Sequence, residues 1–146
     1  IVLPAYFTEL SYSTTLIGFF ILTVVGSLTI TLVLLSTHVG EDANFPEPDS
    51  NNRLPHSWSY HQIITAADFS TQSRAINFLF GGFNHHVIHH LFPNICHIHY
   101  PNLTPILQET AAKYDLPYRH KKYLLAAVFS HFKLLRENAR SPVNVR

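Results

Sequence analysis

The sequence predicts an all-α membrane protein in which one bilayer-crossing helix is followed by a helical cap carrying a histidine-rich metal site. Three observations predict it. From Leu16 to Leu35 no side chain is charged, and a helix of that length rises roughly 30 Å, the hydrocarbon thickness of a bilayer. Four histidines crowd into Gly81-Gly82-Phe83-Asn84-His85-His86-Val87-Ile88-His89-His90. Only 13% of the 146 residues are charged while 47% are apolar, a balance that suits a membrane-associated chain better than a soluble domain.

Composition also excludes function classes. The formal net charge is +1, and no basic block is interleaved with aromatics, so nucleic acid is not a partner. The single Cys96 supports neither a disulfide framework nor a zinc ribbon. The chain contains no Met and opens inside an apolar run, Ile1 to Phe7, as the C-terminal part of a longer protein would.

Taken in order, residues 1–8 read as the tail of a preceding span and Glu9 to Ser13 as a short outer turn. A transmembrane helix follows at about 14–36. A buried core helix is the alternative, but the remaining chain is too small to wrap so long an all-round apolar rod. No basic stretch precedes it and no cleavage pattern follows, which disfavours a signal peptide. Every Lys and Arg, from Arg53 to Arg146, lies after the span, so the positive-inside bias predicts a cytosolic region over about 37–146. Residues 40–57 are rich in Pro, Asn, Asp and Ser and read as a loop. Helices are predicted over 58–69 and 73–91, the second interrupted or kinked near Gly81-Gly82 and stopped by Pro93. Thr104-Pro105 reads as an N-cap and N1 pair opening a short helix that Leu116-Pro117 ends. A last helix, about 120–139, puts Leu124, Val128, Phe132 and Leu135 on one face. Both an interfacial position on the bilayer and packing on the protein's own core fit that face.

Helical spacing gives the histidines their meaning. Each residue advances about 100°, so His86 and His90 nearly stack, with His89 on the other side of His86. His89 and His90 diverge by about 100° and could serve two neighbouring ions. His85 and His89 form a second i, i+4 pair, so spacing leaves His85 open. A surface tract binding metal adventitiously is the alternative, but Val87, Ile88, Leu91 and Phe92 would bury this helix, and buried neutral imidazoles need acceptors or metal. His61 is a further candidate ligand and His38, at the end of the span, a supporting residue. Asp68 is placed to orient an imidazole N–H, whereas His97 and His99 fall off the metal face. No HExxH or Gly-x-Ser-x-Gly motif occurs, so hydrolysis has little support. A dry site of neutral ligands suits an O2-activating metal, though the ligands alone do not separate iron from zinc or copper.

His86-Val87-Ile88-His89-His90 followed by Leu91-Phe92-Pro93 resembles the third histidine box, [His/Gln]-x-x-His-His, of the membrane fatty acid desaturases. Thr37-His38-Val39 at the end of a span, Trp58 and Gln62 in a helix, Gly82-Phe83-Asn84 before the box and His99-Tyr100-Pro101 after it are similar to the acyl-lipid and front-end, linoleoyl-CoA desaturase-like branch. The resemblance covers nearly the whole chain. It implies an integral membrane helical bundle, present here as a fragment, with two non-haem irons at its cytosolic mouth. Two earlier boxes of that family, of HxxxH and HxxHH type, are absent from this stretch. Carried over, His86, His89 and His90 are iron ligands, and His38, Gln62, Asp68 and Asn84 support the site or the acyl channel. The chain departs from the front-end pattern in having His86 where Gln is usual, His85 where an aromatic is usual and Asp68 where Asn is common; these departures bear on regiochemistry rather than reaction class. The implied reaction spends O2 and two electrons to remove two hydrogens from adjacent methylenes of an acyl-CoA or acyl-lipid, with cytochrome b5 or ferredoxin as donor. A lipid hydroxylase or carotenoid ketolase is the same-fold alternative, and a non-catalytic membrane-anchored metal-binding module the alternative from another class. The fragment alone is expected to be inactive.

Overall fold

A computed structural model of the chain describes residues 2–42 and 44–140. Ile1 of the opening apolar run, Ala43 of the predicted loop and residues 141–146, including the Arg146 counted in the charge asymmetry, lie outside the described residues. The chain divides into two units, Ile1–Leu32 and Val33–Arg146.

The first unit holds α1 (Val2–Phe7) and most of α2 (Tyr12–His38). Ser11 starts α2 by accepting the Thr14 N–H on its hydroxyl at 3.1 Å. The hydroxyls of Thr15, Thr29 and Thr37 each donate to the carbonyl four residues back, which hides them within an apolar rod. Consecutive residues such as Phe19, Phe20, Ile21 and Leu22 are all exposed, so every side of the rod is apolar. At 27 residues, α2 runs a little beyond the predicted 14–36 at both ends and is long and apolar enough to cross a membrane.

The second unit begins on the last turns of α2 and is mostly helical: α3 (Trp58–Thr65), α4 (Arg74–Leu79), α5 (His86–Leu91), a 3-10 turn (His97–His99), α6 (Tyr100–Lys113) and α7 (Leu124–Arg140). Ile63, Ala66 and Val87 form its core, with Leu91, Leu107, Leu116 and Tyr118 packed around them. The end of α2 is tied in by hydrogen bonds to its free carbonyls, where Ala67 N–H reaches Thr37 O at 2.8 Å and His131 Nδ1 donates to Val39 O at 2.8 Å. The Arg119 guanidinium donates to the carbonyls of Asp42 and Ile64, fastening the loop after α2 to the end of α3.

Several elements differ from expectation. The predicted helix 58–69 stops at Thr65 because Ala66 turns extended (φ −125°, ψ 158°). Asp68–Phe69 (β1) then pairs in parallel with His120–Lys121 (β2), Asp68 opposite His120. A two-residue pair has too few residues to show alternation, so the pattern reads as all-α. The same pairing removes the first turn of the predicted last helix. The segment 73–91 is interrupted where expected, giving two short helices, because Gly81 and Gly82 take positive φ (55° and 77°) and reverse the chain. Thr104 is not an N-cap: α6 begins at Tyr100, with Pro101 in its first turn and Pro105 inside it. Thr104 instead donates back to Tyr100 O at 3.0 Å. On α7 the buried residues are Ala127, Ser130 and His131, while Leu125, Phe129 and Phe132 are exposed, so the bulkier apolar residues face outward.

Candidate metal centre

The histidine box lies on α5, whose start is held from a distance. His85 is its N-cap residue but makes no capping bond with its side chain. The Asp68 carboxylate takes that role, accepting Val87 N–H at 2.8 Å on one oxygen and Tyr118 O–H at 2.5 Å on the other. Asp68 is wholly buried, and burial pushes its carboxyl up to about 6 against the lowering effect of these hydrogen bonds. Burial and the Asp68 carboxylate together raise the Tyr118 phenol. Asp68 therefore steadies the backbone of α5, and among the described residues no imidazole is a hydrogen-bond partner of its carboxylate.

His85 and Asn84 knit the preceding turn. Asn84 donates to Phe69 O at 3.1 Å and to Asn77 Oδ1 at 2.6 Å. The His85 ring is sandwiched between Thr104 Oγ1 at 2.7 Å and Asn77 Oδ1 at 3.1 Å. Both ring nitrogens are engaged, which leaves none to hold an ion. Burial, then the neighbouring His120, pushes His85 down to about 4.

Three imidazoles converge. The ligand atoms of His38, His86 and His90 all lie within 4.8 Å of one another, with Nε2 to Nε2 distances of 2.7 Å from His86 to His38 and 3.1 Å from His86 to His90. His38 Nδ1 faces Thr65 O at 3.3 Å. A carbonyl can only accept, so that nitrogen carries the proton and Nε2 is bare in the neutral ring. His90 Nδ1 faces Gln62 Oε1 at 2.7 Å, which with that amide orientation bares its Nε2 as well. His86 stands between these two lone pairs with its own Nδ1 buried and without a well-formed partner. It has one proton for two bare neighbours, so at least one contact sets lone pair against lone pair. A shared cation would satisfy all three rings together, and neutral imidazoles suit first-row ions such as iron, zinc and copper. His86 and His90 stay neutral. Burial, then His38, His90 and His89 in turn, pushes His86 down to about 3, a minor raising effect of the Phe83 carbonyl notwithstanding. Burial, then His38 and His89, takes His90 to about 4.

The other candidates stand apart from this trio. His89 turns its Nδ1 to Tyr100 Oη at 3.2 Å, and its ring centroid is 5.7 Å from that of His86 and 6.0 Å from that of His90. It borders a cavity of about 230 Å³ shared with Phe83, Cys96 and His97. His61, on α3, has a buried Nδ1 with no hydrogen-bond partner among the described residues and does not belong to the trio. His97 and His99 are exposed in the 3-10 turn. Gln62 meets the site as the orienting acceptor of His90, while Asn84 serves the turn. Sequence reasoning gave His38 a supporting part, although an imidazole closing the last turn of a charge-free span was itself a signal. Thr65, Asn77, Thr104 and Tyr118 were missed, and nothing in their local sequence points to the site.

The fatty acid desaturase family model matches residues 1–122. The chain is 34% identical over 126 residues to sn-1 linoleoyl-lipid 6-desaturase of Arthrospira platensis, covering 86% of this chain and 34% of that protein. It is 36% identical over 109 residues to the enzyme of that name from Synechocystis sp. (74% of this chain, 30% of the relative). It is also 32% identical over 121 residues to acyl-lipid (8-3)-desaturase of Mortierella alpina (83% and 27%). With the histidine box thus placed in both sequence and space, the chain belongs to the fatty acid desaturase family. It spans about a third of the length of these relatives. No solved structure matches it.

Proposed function

We propose that residues 1–146 are the C-terminal part of a fatty acyl desaturase domain, with α2 as a membrane span within a helical bundle and residues from about 37 onward on the cytosolic side. The observation that carries this reading is the trio of inward-turned Nε2 atoms of His38, His86 and His90 at the end of that span. His86 and His90 of the box, with His38, would hold one ion of a di-iron pair. His89, turned toward Tyr100, would serve the other together with histidines outside this chain; His61 remains a candidate there. Bound iron would supply the O2-dependent oxidising power that removes two hydrogens from adjacent methylenes. The chain's own residues bind and orient: Thr65 O and Gln62 Oε1 fix the tautomers of His38 and His90, and Asp68 with Tyr118 fixes the start of α5. Burial keeps His86 neutral and ready to donate its lone pair.

The relatives named above are desaturases of lipid-borne acyl chains, which favours an acyl-lipid over an acyl-CoA substrate. Their names differ in double-bond position, so position is not carried over. Electrons would come from a cytochrome b5 or ferredoxin type of donor.

Expression of the full-length protein in a host without polyunsaturated lipids, followed by fatty acid profiling by mass spectrometry, tests the proposal. A product lighter by two hydrogens is expected, and lost in His90→Ala. A product heavier by one oxygen would make the protein a hydroxylase instead, and an unchanged profile alongside low iron content would overturn both.

A further inference from the structure

Outside the histidine trio, the second unit contains a cleft of about 790 Å³ between the segment around α4 and the start of α7. Its polar wall is made by Thr71, Ser73, His120 and Lys122. Thr71 Oγ1 and His120 Nε2 are 3.1 Å apart. Its apolar wall is made by Ile76, Leu124 and Leu125. Among the described residues no carboxylate lies within ion-pair distance of Lys122, whereas the adjacent Lys121 is bridged to Glu41 and Asp42. The Lys122 ammonium lies 5.4 Å from the centroid of the Tyr123 ring, so the cleft offers a cation without a carboxylate partner beside hydroxyls, an anion's chemistry, and opens onto apolar surface.

That surface has a direction. Leu79 is three residues on from Ile76 along α4, and Phe129 and Phe132 are four and seven on from Leu125 along α7. At those spacings each set shares one helix face. Leu79, Phe129 and Phe132 are 67%, 69% and 60% exposed, so two bare apolar stripes lead away from one cationic cleft. An occupant with a negative head and apolar tails matches both parts. A soluble anion would leave the stripes uncovered, and an apolar peptide would leave Lys122 unused.

We propose that this cleft binds the phosphate headgroup of an anionic phospholipid, with its acyl chains along the Leu79 and Leu125–Phe129–Phe132 faces. The site uses none of the residues of the histidine trio. It rests on the membrane reading above only for the supply of lipid.

The test is native mass spectrometry of the full chain in non-ionic detergent, titrated with dioctanoyl phosphatidylglycerol, dioctanoyl phosphatidylcholine or inorganic phosphate. Phosphatidylglycerol is expected to bind in preference to phosphatidylcholine. Lys122→Gln should weaken that binding about fivefold and Lys122→Glu further, the scale of one basic residue at an anionic lipid surface. Leu125→Ser, at a residue 68% exposed and so tolerant of change, should weaken phosphatidylglycerol without affecting inorganic phosphate. Equal binding of the two lipids, or binding indifferent to both Lys122 variants, would overturn the proposal. So would inorganic phosphate alone binding as tightly as phosphatidylglycerol. Ferrous-iron affinity of the same preparations reads the metal centre separately and should not change in these variants.

Discussion

Gly82 holds a φ of +77°, and a Cβ built there would stand 3.0 Å from His97 Cβ. Gly81, at φ +55°, has nothing within 4 Å of such an atom. Both positions demand the left-handed region, but only Gly82 also demands space. Gly81→Ala should therefore cost about 1 kcal/mol and Gly82→Ala more, up to about 3 kcal/mol, in chemical denaturation. A second prediction concerns Gln62, whose Oε1 fixes His90. Gln62→Leu should weaken iron affinity by about 10–100-fold while Gln62→Glu, which keeps an acceptor, largely preserves it, measured by chelator competition. At this scale the box itself was legible, because i, i+3 and i, i+4 spacing is a property of local sequence. The partners that aim its rings were less so: Gln62 could be named, but Thr65 acts through a backbone carbonyl, which has no sequence signature.

Among the elements, α5 is six residues long and too short to be stable by its own hydrogen bonds. What holds it is the buried Val87 and Ile88 on one side and the Asp68 carboxylate at its start. The carboxylate's position has a pH consequence. Asp68 is raised to about 6 by burial, so the native state binds its proton more tightly than the unfolded chain does. Its contribution to stability is greatest below pH of about 4, the ordinary carboxylate value, and declines as pH rises to about 6, by about 3 kcal/mol in all. Asp68→Asn should remove this slope. The difference in unfolding free energy between the metal-free wild type and variant, followed from pH 4 to pH 8, is the measurement; parallel curves would refute the assignment. The helices themselves were foreseeable from apolar spacing and from Pro and Gly. The β1–β2 pair was not, because Asp68 and His120 meet from 52 positions apart in the chain with no periodic pattern on either side.

For the molecule as a whole, the charge asymmetry about α2 predicts which side of the membrane the second unit occupies. Cys96 is the single cysteine of residues 1–146 and is exposed, so with any cysteine outside this stretch replaced it can report this directly. A membrane-impermeant maleimide should leave it unlabelled in intact cells and label it once the membrane is opened; labelling of intact cells would reverse the topology. The bilayer-length helix was plain from composition, since a run without charge needs no tertiary information to recognise. The outward apolar face of α7 was not, because amphipathic spacing cannot say which stripe faces in. One consequence belongs to His38. It ends α2 while His86 begins α5, 48 residues later, so an ion gripped by both would act as a cross-link across the intervening chain. By the entropy of closing such a loop, that link is worth about 4 kcal/mol. Iron supply would then govern the lifetime of the protein as well as its turnover: in iron-starved cells the polypeptide should be degraded markedly faster, a loss visible in a pulse-chase experiment and abolished as a difference in His38→Ala.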